Sequence, residues 1–163
     1  MDLSGHQYQR TLRLRDLPKV PRKHCRWCGR PCPGRRRHWC SDECVEEYMI
    51  RSHPSLVSKR VKKRDKGVCA LCGRDTLTMR RLMLEFNRHM QRIDPRYRMG
   101  EEMGPWLVRG RRKMWDAHHI KPVSEGGGCC GLENYQTVCV RCHRDETRKL
   151  AGTRAQKRKH EHD

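Results

Sequence analysis

A chain of 163 residues with 34% hydrophobic content and a single Phe, Phe86, has room for one domain or two small ones but not for a large apolar core. Its 38 Lys and Arg against 19 Asp and Glu leave a formal charge of +19, a balance that calls for a polyanion, and nucleic acid is the usual one. The start MDLSGHQYQRTLRLRDLPKV is polar throughout and no apolar run is long enough to cross a membrane, so an intracellular, non-secreted setting without a membrane partner is expected.

Eleven cysteines are dense for this length, and their odd number argues against a closed disulfide framework. Without a secretory signal, closely spaced pairs of cysteines favour zinc, which braces small domains where apolar burial is scarce. Residues 1–23 read as a basic, loosely ordered arm ending near Pro18 and Pro21. The cluster CRWCGRPCPGRRRHWCSDEC then sets a C-x2-C knuckle, Cys25 and Cys28, against a C-x3-C pair, Cys40 and Cys44. Four thiolates at that spacing suit a tetrahedral Zn2+; Cys32, His24 and His38 are spare candidates for the same ligand set.

VEEYMIR continues from Cys44 as a helix, and Ser52 followed by Pro54 offers an N-cap and first turn for a second helix over 55–65, with Gly67 as its stop. A further knuckle, Cys69 and Cys72, has no partner nearby. Residues 76–93 instead place Met79, Leu82, Met83, Phe86, Met90 and Ile93 at helical spacing, a stripe read most simply as core packing, which Pro95 ends. Residues 96–114 read as a Gly-rich basic loop, in which Trp106 is either buried or available to a nucleic-acid base. The missing partner knuckle comes at Cys139 and Cys142, giving a second four-thiolate site that leaves no open position and is therefore structural.

Between these knuckles the string WDAHHIKPVSEGGGCCGLENYQTVCVRCHRDETRKL carries the chemistry. Trp115–Val123 reads as a strand, the run Gly126, Gly127 and Gly128 as a loop, residues 136–140 as the returning strand, and a helix begins near Arg141. His118 and His119 lie on the first strand and His143 in the first turn of the helix, an order able to surround one cation. Strand alternation sends Asp116 and His118 to one face and His119 to the other. Cys129 and Cys130 have no evident partner and read as incidental thiols, and RAQKRKHEHD as a solvated tail.

The sequence A-H-H-I-x-P-V, the glycine run, L-E-N and V-C-x-x-C-H together resemble the motif of the HNH, or ββα-metal, endonuclease family. WCSDEC, GVCALC, HHIKPV and VCVRCH further resemble the HNH domains appended to animal annealing helicases of the Swi/Snf type. The resemblance implies an α+β fold: a small zinc-stabilised protein with a ββα-metal core, helical elements and an N-terminal four-cysteine zinc module. From the resemblance together with the residue reading above, the chain is expected to divide into a basic arm (1–23), a zinc module with a basic helix (24–66), an HNH nuclease domain braced by structural zinc (67–150) and a basic tail (151–163). The resemblance also implies His119 as general base, Asn134 as an architectural residue that orients it, and His118 with His143 as ligands of one divalent cation.

Some family members carry another histidine four residues after the helix ligand, where this chain has Thr147; Mg2+ or Mn2+ is the expected catalytic ion. Arg141, Arg144 and Arg148 are candidates to clamp neighbouring phosphates. The expected substrate is DNA, double-stranded or branched and with little sequence preference, and the products are 5′-phosphate and 3′-hydroxyl ends. Targeting is expected from the basic surface or from a protein partner. A non-catalytic zinc module that binds nucleic acid is the competing reading, and an RNA-directed nuclease is a third.

Overall fold

The computed structural model describes residues 3–98 and 113–160, so the expectation for Trp106 lies outside the described residues. Among the described residues, four α-helices, α1 (Asp42–Ser52), α2 (Pro54–Asp65), α3 (Thr76–Ile93) and α4 (Val140–His160), accompany two strands, β1 (Trp115–His119) and β2 (Tyr135–Cys139). The strands pair with each other. Beyond their ends Ile120 N donates to Asn134 O and Val140 N to Met114 O, at 2.9 and 3.0 Å, which makes the pair antiparallel and sets His119 opposite Tyr135. With α4 following directly from β2, the chain has the β-β-α order expected for this α+β class. It divides into two units, Met1–Val61 with His119–Tyr135, and Lys62–His118 with Gln136–Asp163.

In the first unit, the segment read as a loose arm is tied down. Leu12 and Leu17 are buried with Cys129, and Trp27, Trp39 and Tyr48 pack against them. Leu12 N donates to Arg51 O at 2.8 Å, and the Arg51 guanidinium lies 4.9 Å from the Trp27 ring centre. Scarcity of apolar residues explains this recruitment: a core this small needs the leucines of its own N-terminus. Cys129 is correspondingly a core residue rather than an incidental thiol, and burial pushes its thiol up to about 11. Ser41 caps α1 through a bond from Cys44 N, with Asp42 and Glu43 in the first turn where the helix dipole favours them. The N-cap expected at Ser52 is not formed; Ser52 is the last residue of α1, and its hydroxyl donates back to Tyr48 O at 2.8 Å.

In the second unit Asp75 caps α3, accepting from Leu77 N and Thr78 N. The apolar stripe of this helix is not the core that its periodicity suggests. Met83 is buried, but Leu82, Phe86 and Ile93 are 55%, 49% and 66% exposed. One buried cluster here is Cys69, Val138 and Cys139 with Cys142 packed on it, and Met114, Trp115 and Val140 are buried as well. Asp65, at the end of α2, accepts from Thr137 N at 2.9 Å and so joins that helix to β2. Residues 151–160, read as a tail, continue α4, and the side chains of 151–159 are exposed.

Candidate active site and metal centres

Cys25, Cys28, Cys40 and Cys44 bring their sulfurs within 4.8 Å of one another, and so do Cys69, Cys72, Cys139 and Cys142. Individual separations are 3.4 Å for Cys28–Cys40, 3.5 Å for Cys40–Cys44 and 3.8 Å for Cys72–Cys139. Tetrahedral Zn2+ with Zn–S bonds of about 2.3 Å sets its sulfurs about 3.8 Å apart, so both groups fit the ion. The two tetrads are the groups expected from the spacing. Cys32 is buried beside the first without joining it, and His24 and His38 are not among its ligands.

Electrostatics prepare both groups for a cation. Arg30 Nε donates to Cys28 Sγ at 3.3 Å and lowers that thiol to about 6. Burial raises Cys72, but bonds from the Arg74 backbone and from neighbouring cysteines outweigh it and bring the thiol down to about 7. Burial pushes Cys44 up to about 12 and Cys142 upward as well, so these two sulfurs hold their protons more firmly than Cys28 and Cys72 do. A bound Zn2+ replaces those protons and compensates four crowded thiolates.

The histidines are held by two different neighbourhoods. His118, on β1, and His143, in the first turn of α4, meet edge to face with ring centres 5.1 Å apart. His143 Nδ1 lies 2.9 Å from Asp116 Oδ2, a contact that occupies this nitrogen and leaves Nε2 as the ring nitrogen that could take a cation. Asp116 was legible as a same-face neighbour of His118, two residues away; its bond to His143 was not. Burial, reinforced by the nearby charge of His143, holds His118 below the ordinary histidine range despite the opposing charges of Glu146 and Asp116. It is therefore a neutral imidazole near pH 7, the form that binds metal. Thr147 spends its hydroxyl on His143 O at 2.8 Å, so at the position where some family members carry a histidine the side chain turns back onto the helix.

His119, the next residue of β1, lies against Tyr135, with ring centres 4.3 Å apart. Asp116 and His118 contact His143 while His119 meets Tyr135, as strand alternation requires. Tyr135 is buried and was not singled out by the sequence; its signal is its register opposite His119. Asn134 fastens the loop that follows β1. Its Oδ1 accepts from Lys121 N at 2.8 Å, and its Nδ2 donates to Lys121 O at 3.1 Å and Gly127 O at 2.9 Å. A Cβ on Gly127 would fall 1.8 Å from Lys121 O, and one on Gly128 2.1 Å from Gln9 O, so the glycine run is demanded by close backbone approach.

On α4, Arg141, Arg144 and Arg148 are exposed and, with Asp145, line a shallow groove of about 460 Å3. Arg148 Nη1 is 3.4 Å from Asp145 Oδ1, which steadies one wall. Three guanidinium groups along one helix surface can engage successive phosphates.

The HNH endonuclease family model matches residues 107–149. The DNA annealing helicase and endonuclease ZRANB3 of Bos taurus is 35% identical over 130 residues, that of Mus musculus 35% over 127 and that of Homo sapiens 34% over 133. Each match takes in 74% of this chain but only 12% of the relative. The crystal structure of the human ZRANB3 HNH domain is 30% identical, covering 66% of this chain and 97% of that one, with a TM-score of 0.47. Among the described residues, no helix is long and apolar enough to cross a membrane.

Proposed function

Since the chain belongs to the HNH endonuclease family, we propose that it is a metal-dependent endonuclease that hydrolyses DNA phosphodiester bonds with little sequence preference. The observation that carries this reading is the Asp116–His143–His118 constellation, next in sequence to His119. His119 would take the proton from the attacking water, as a neutral imidazole can near physiological pH. Packing against Tyr135 limits its ring orientation, and Asn134 fixes the loop that leaves the strand carrying it.

His118 and His143 would hold one divalent cation, Mg2+ or Mn2+. When bound, this ion supplies charge stabilisation at the scissile phosphate and at the leaving oxygen. Asp116 keeps His143 in one tautomer for that purpose. Arg141, Arg144 and Arg148 would neutralise flanking phosphates, giving most of the affinity and none of the sequence preference. The ends expected are a 5′-phosphate and a 3′-hydroxyl, and one active site would nick one strand. The two cysteine tetrads would each hold a structural Zn2+.

One observation favours a zinc-braced module that grips nucleic acid without cutting it. Among the described residues, the only groups of three or more ligand atoms within 4.8 Å are the two tetrads, so the histidines do not form a closed cage. A plasmid nicking assay of the wild type against His119→Ala, in Mg2+ and in Mn2+, separates the readings. Nicking by the wild type alone, with DNA binding equal in both proteins, is the expected result. Binding without nicking by either protein would overturn the enzymatic reading.

A further inference from the structure

The first unit contains an apolar cleft that the nuclease chemistry does not use. It has a volume of about 340 Å3, and its lining joins the apolar Leu14, Trp39, Tyr48 and Met49 to Arg26 and His38. That volume falls within the roughly 300–1,000 Å3 typical of ligand cavities. Trp39 and Tyr48 stack on each other at 5.1 Å with 30° between their planes, so part of the lining is a paired aromatic unit. Leu14, opposite in polarity to most of this basic chain, is 46% exposed.

A second groove, of about 330 Å3, shares Arg26 and His38 with the first and adds Arg22, Lys23 and Arg37. Arg26 N donates to His38 O at 2.9 Å, so the two shared residues are fixed to each other where the grooves adjoin. An apolar, aromatic cleft beside a lysine- and arginine-lined groove is complementary to an occupant that alternates flat apolar faces with anionic links.

The geometry points to a binding site for single-stranded nucleic acid in the first unit, with a base held in the apolar cleft beside Trp39 and Tyr48 and the adjoining phosphates on Arg22, Lys23, Arg26 and Arg37. A duplex keeps its bases stacked inside and has no free face to offer, whereas an unpaired strand presents one at every residue. A free nucleotide would fill the cleft but leave most of the basic groove without a partner. An apolar peptide would satisfy the cleft and be repelled by nothing, yet it would not use the adjoining cations. This site does not depend on the cleavage reading, since a protein that binds without cutting would use it equally.

The test uses the full chain without added divalent cation and follows fluorescence anisotropy of two labelled strands, an eight-residue oligothymidylate and an abasic strand of the same length and charge. Base stacking is sequence-tolerant and strong enough that the thymidylate should bind about tenfold more tightly than the abasic strand. Leu14→Glu and Arg26→Glu, each checked to retain the wild type's zinc content, should reduce thymidylate binding toward the abasic level. Equal binding of the two wild-type complexes would overturn the assignment and leave the cleft to an apolar side chain of a protein partner. A preference that survives Leu14→Glu would overturn it too, placing the stacking surface elsewhere. Leu14→Glu should nick duplex plasmid as the wild type does; loss of nicking by both proteins would count against the endonuclease and not against this site.

Discussion

Asp116 and His143 show how much a single contact decides. A histidine ligand without a partner on its second nitrogen samples two tautomers and several ring orientations; the 2.9 Å contact to Asp116 selects one. Asp116→Ala should therefore weaken divalent-cation binding about 10–100-fold while leaving the fold intact. Calorimetric titration of Mn2+ into the zinc-loaded, DNA-free protein reads this directly, and unchanged affinity would remove Asp116 from the site. Gly127 makes a second residue-level case. A methyl group placed 1.8 Å from Lys121 O cannot be absorbed by a flexible side chain, and it would also crowd the Asn134 amide at 2.9 Å. Gly127→Ala should cost at least about 1–3 kcal/mol in denaturant unfolding. An equal midpoint in mutant and wild type would mean that the loop does not need this close approach.

Among the elements, α2 contributes to the sheet through one carboxylate. Asp65 is held below the usual carboxylate range, first by the Arg64 guanidinium and then, against the opposing effect of burial, by its bond from Thr137 N. A carboxyl with a depressed value stabilises the fold above the unfolded value of about 3.9 and loses that contribution as pH falls through the folded value. Asp65→Ala should thus destabilise the protein at pH 7, by about 1–3 kcal/mol for the buried donor left behind, and the gap to wild type should narrow below about pH 4. Thermal melts at both pH values check it; a gap that stays constant would show that the charge of Asp65 contributes nothing. The helix at α3 teaches the opposite lesson. Its three- and four-residue apolar spacing was enough to place a helix over Thr76–Ile93, but Leu82, Phe86 and Ile93 remain largely exposed. Periodicity reports which residues share a face, not what meets that face.

At the scale of the molecule, a small apolar core goes with a high positive charge and two cysteine tetrads able to hold zinc. Nucleic-acid affinity should fall steeply with salt, and each of Arg141→Ala, Arg144→Ala and Arg148→Ala should lower the slope of log affinity against log salt by about 1. Measurements between 50 and 200 mM salt suffice, as about that range moves affinity by orders of magnitude for several phosphate contacts. A slope untouched by all three would move the phosphate surface off α4. Zinc removal should be more damaging than removal of any side chain. Cys72→Ala should abolish one bound Zn2+ per chain and broaden the unfolding transition, because the second tetrad ties Cys69 and Cys72 to Cys139 and Cys142 beside the buried Val138. Retention of full zinc content by this variant would dissociate Cys72 from the ligand set.

The linear sequence determined what depends on residue type and short spacing. Two four-thiolate groups follow from knuckles that each form a tight turn, and the strand–loop–strand–helix order was read around the glycine run and a helix beginning near Arg141. Asn134 and the histidine pair were legible because the family motif fixes their spacing. Tertiary structure alone decided which partners meet across long separations. It brought Asp65 to Thr137, drew Leu12 and Leu17 into a core with Cys129, and packed Tyr48 against Trp39 to wall a cleft that no motif marks. Such contacts are invisible to pattern because burial is non-directional: any of several apolar residues would satisfy it locally, and only the competition for a small core selects these.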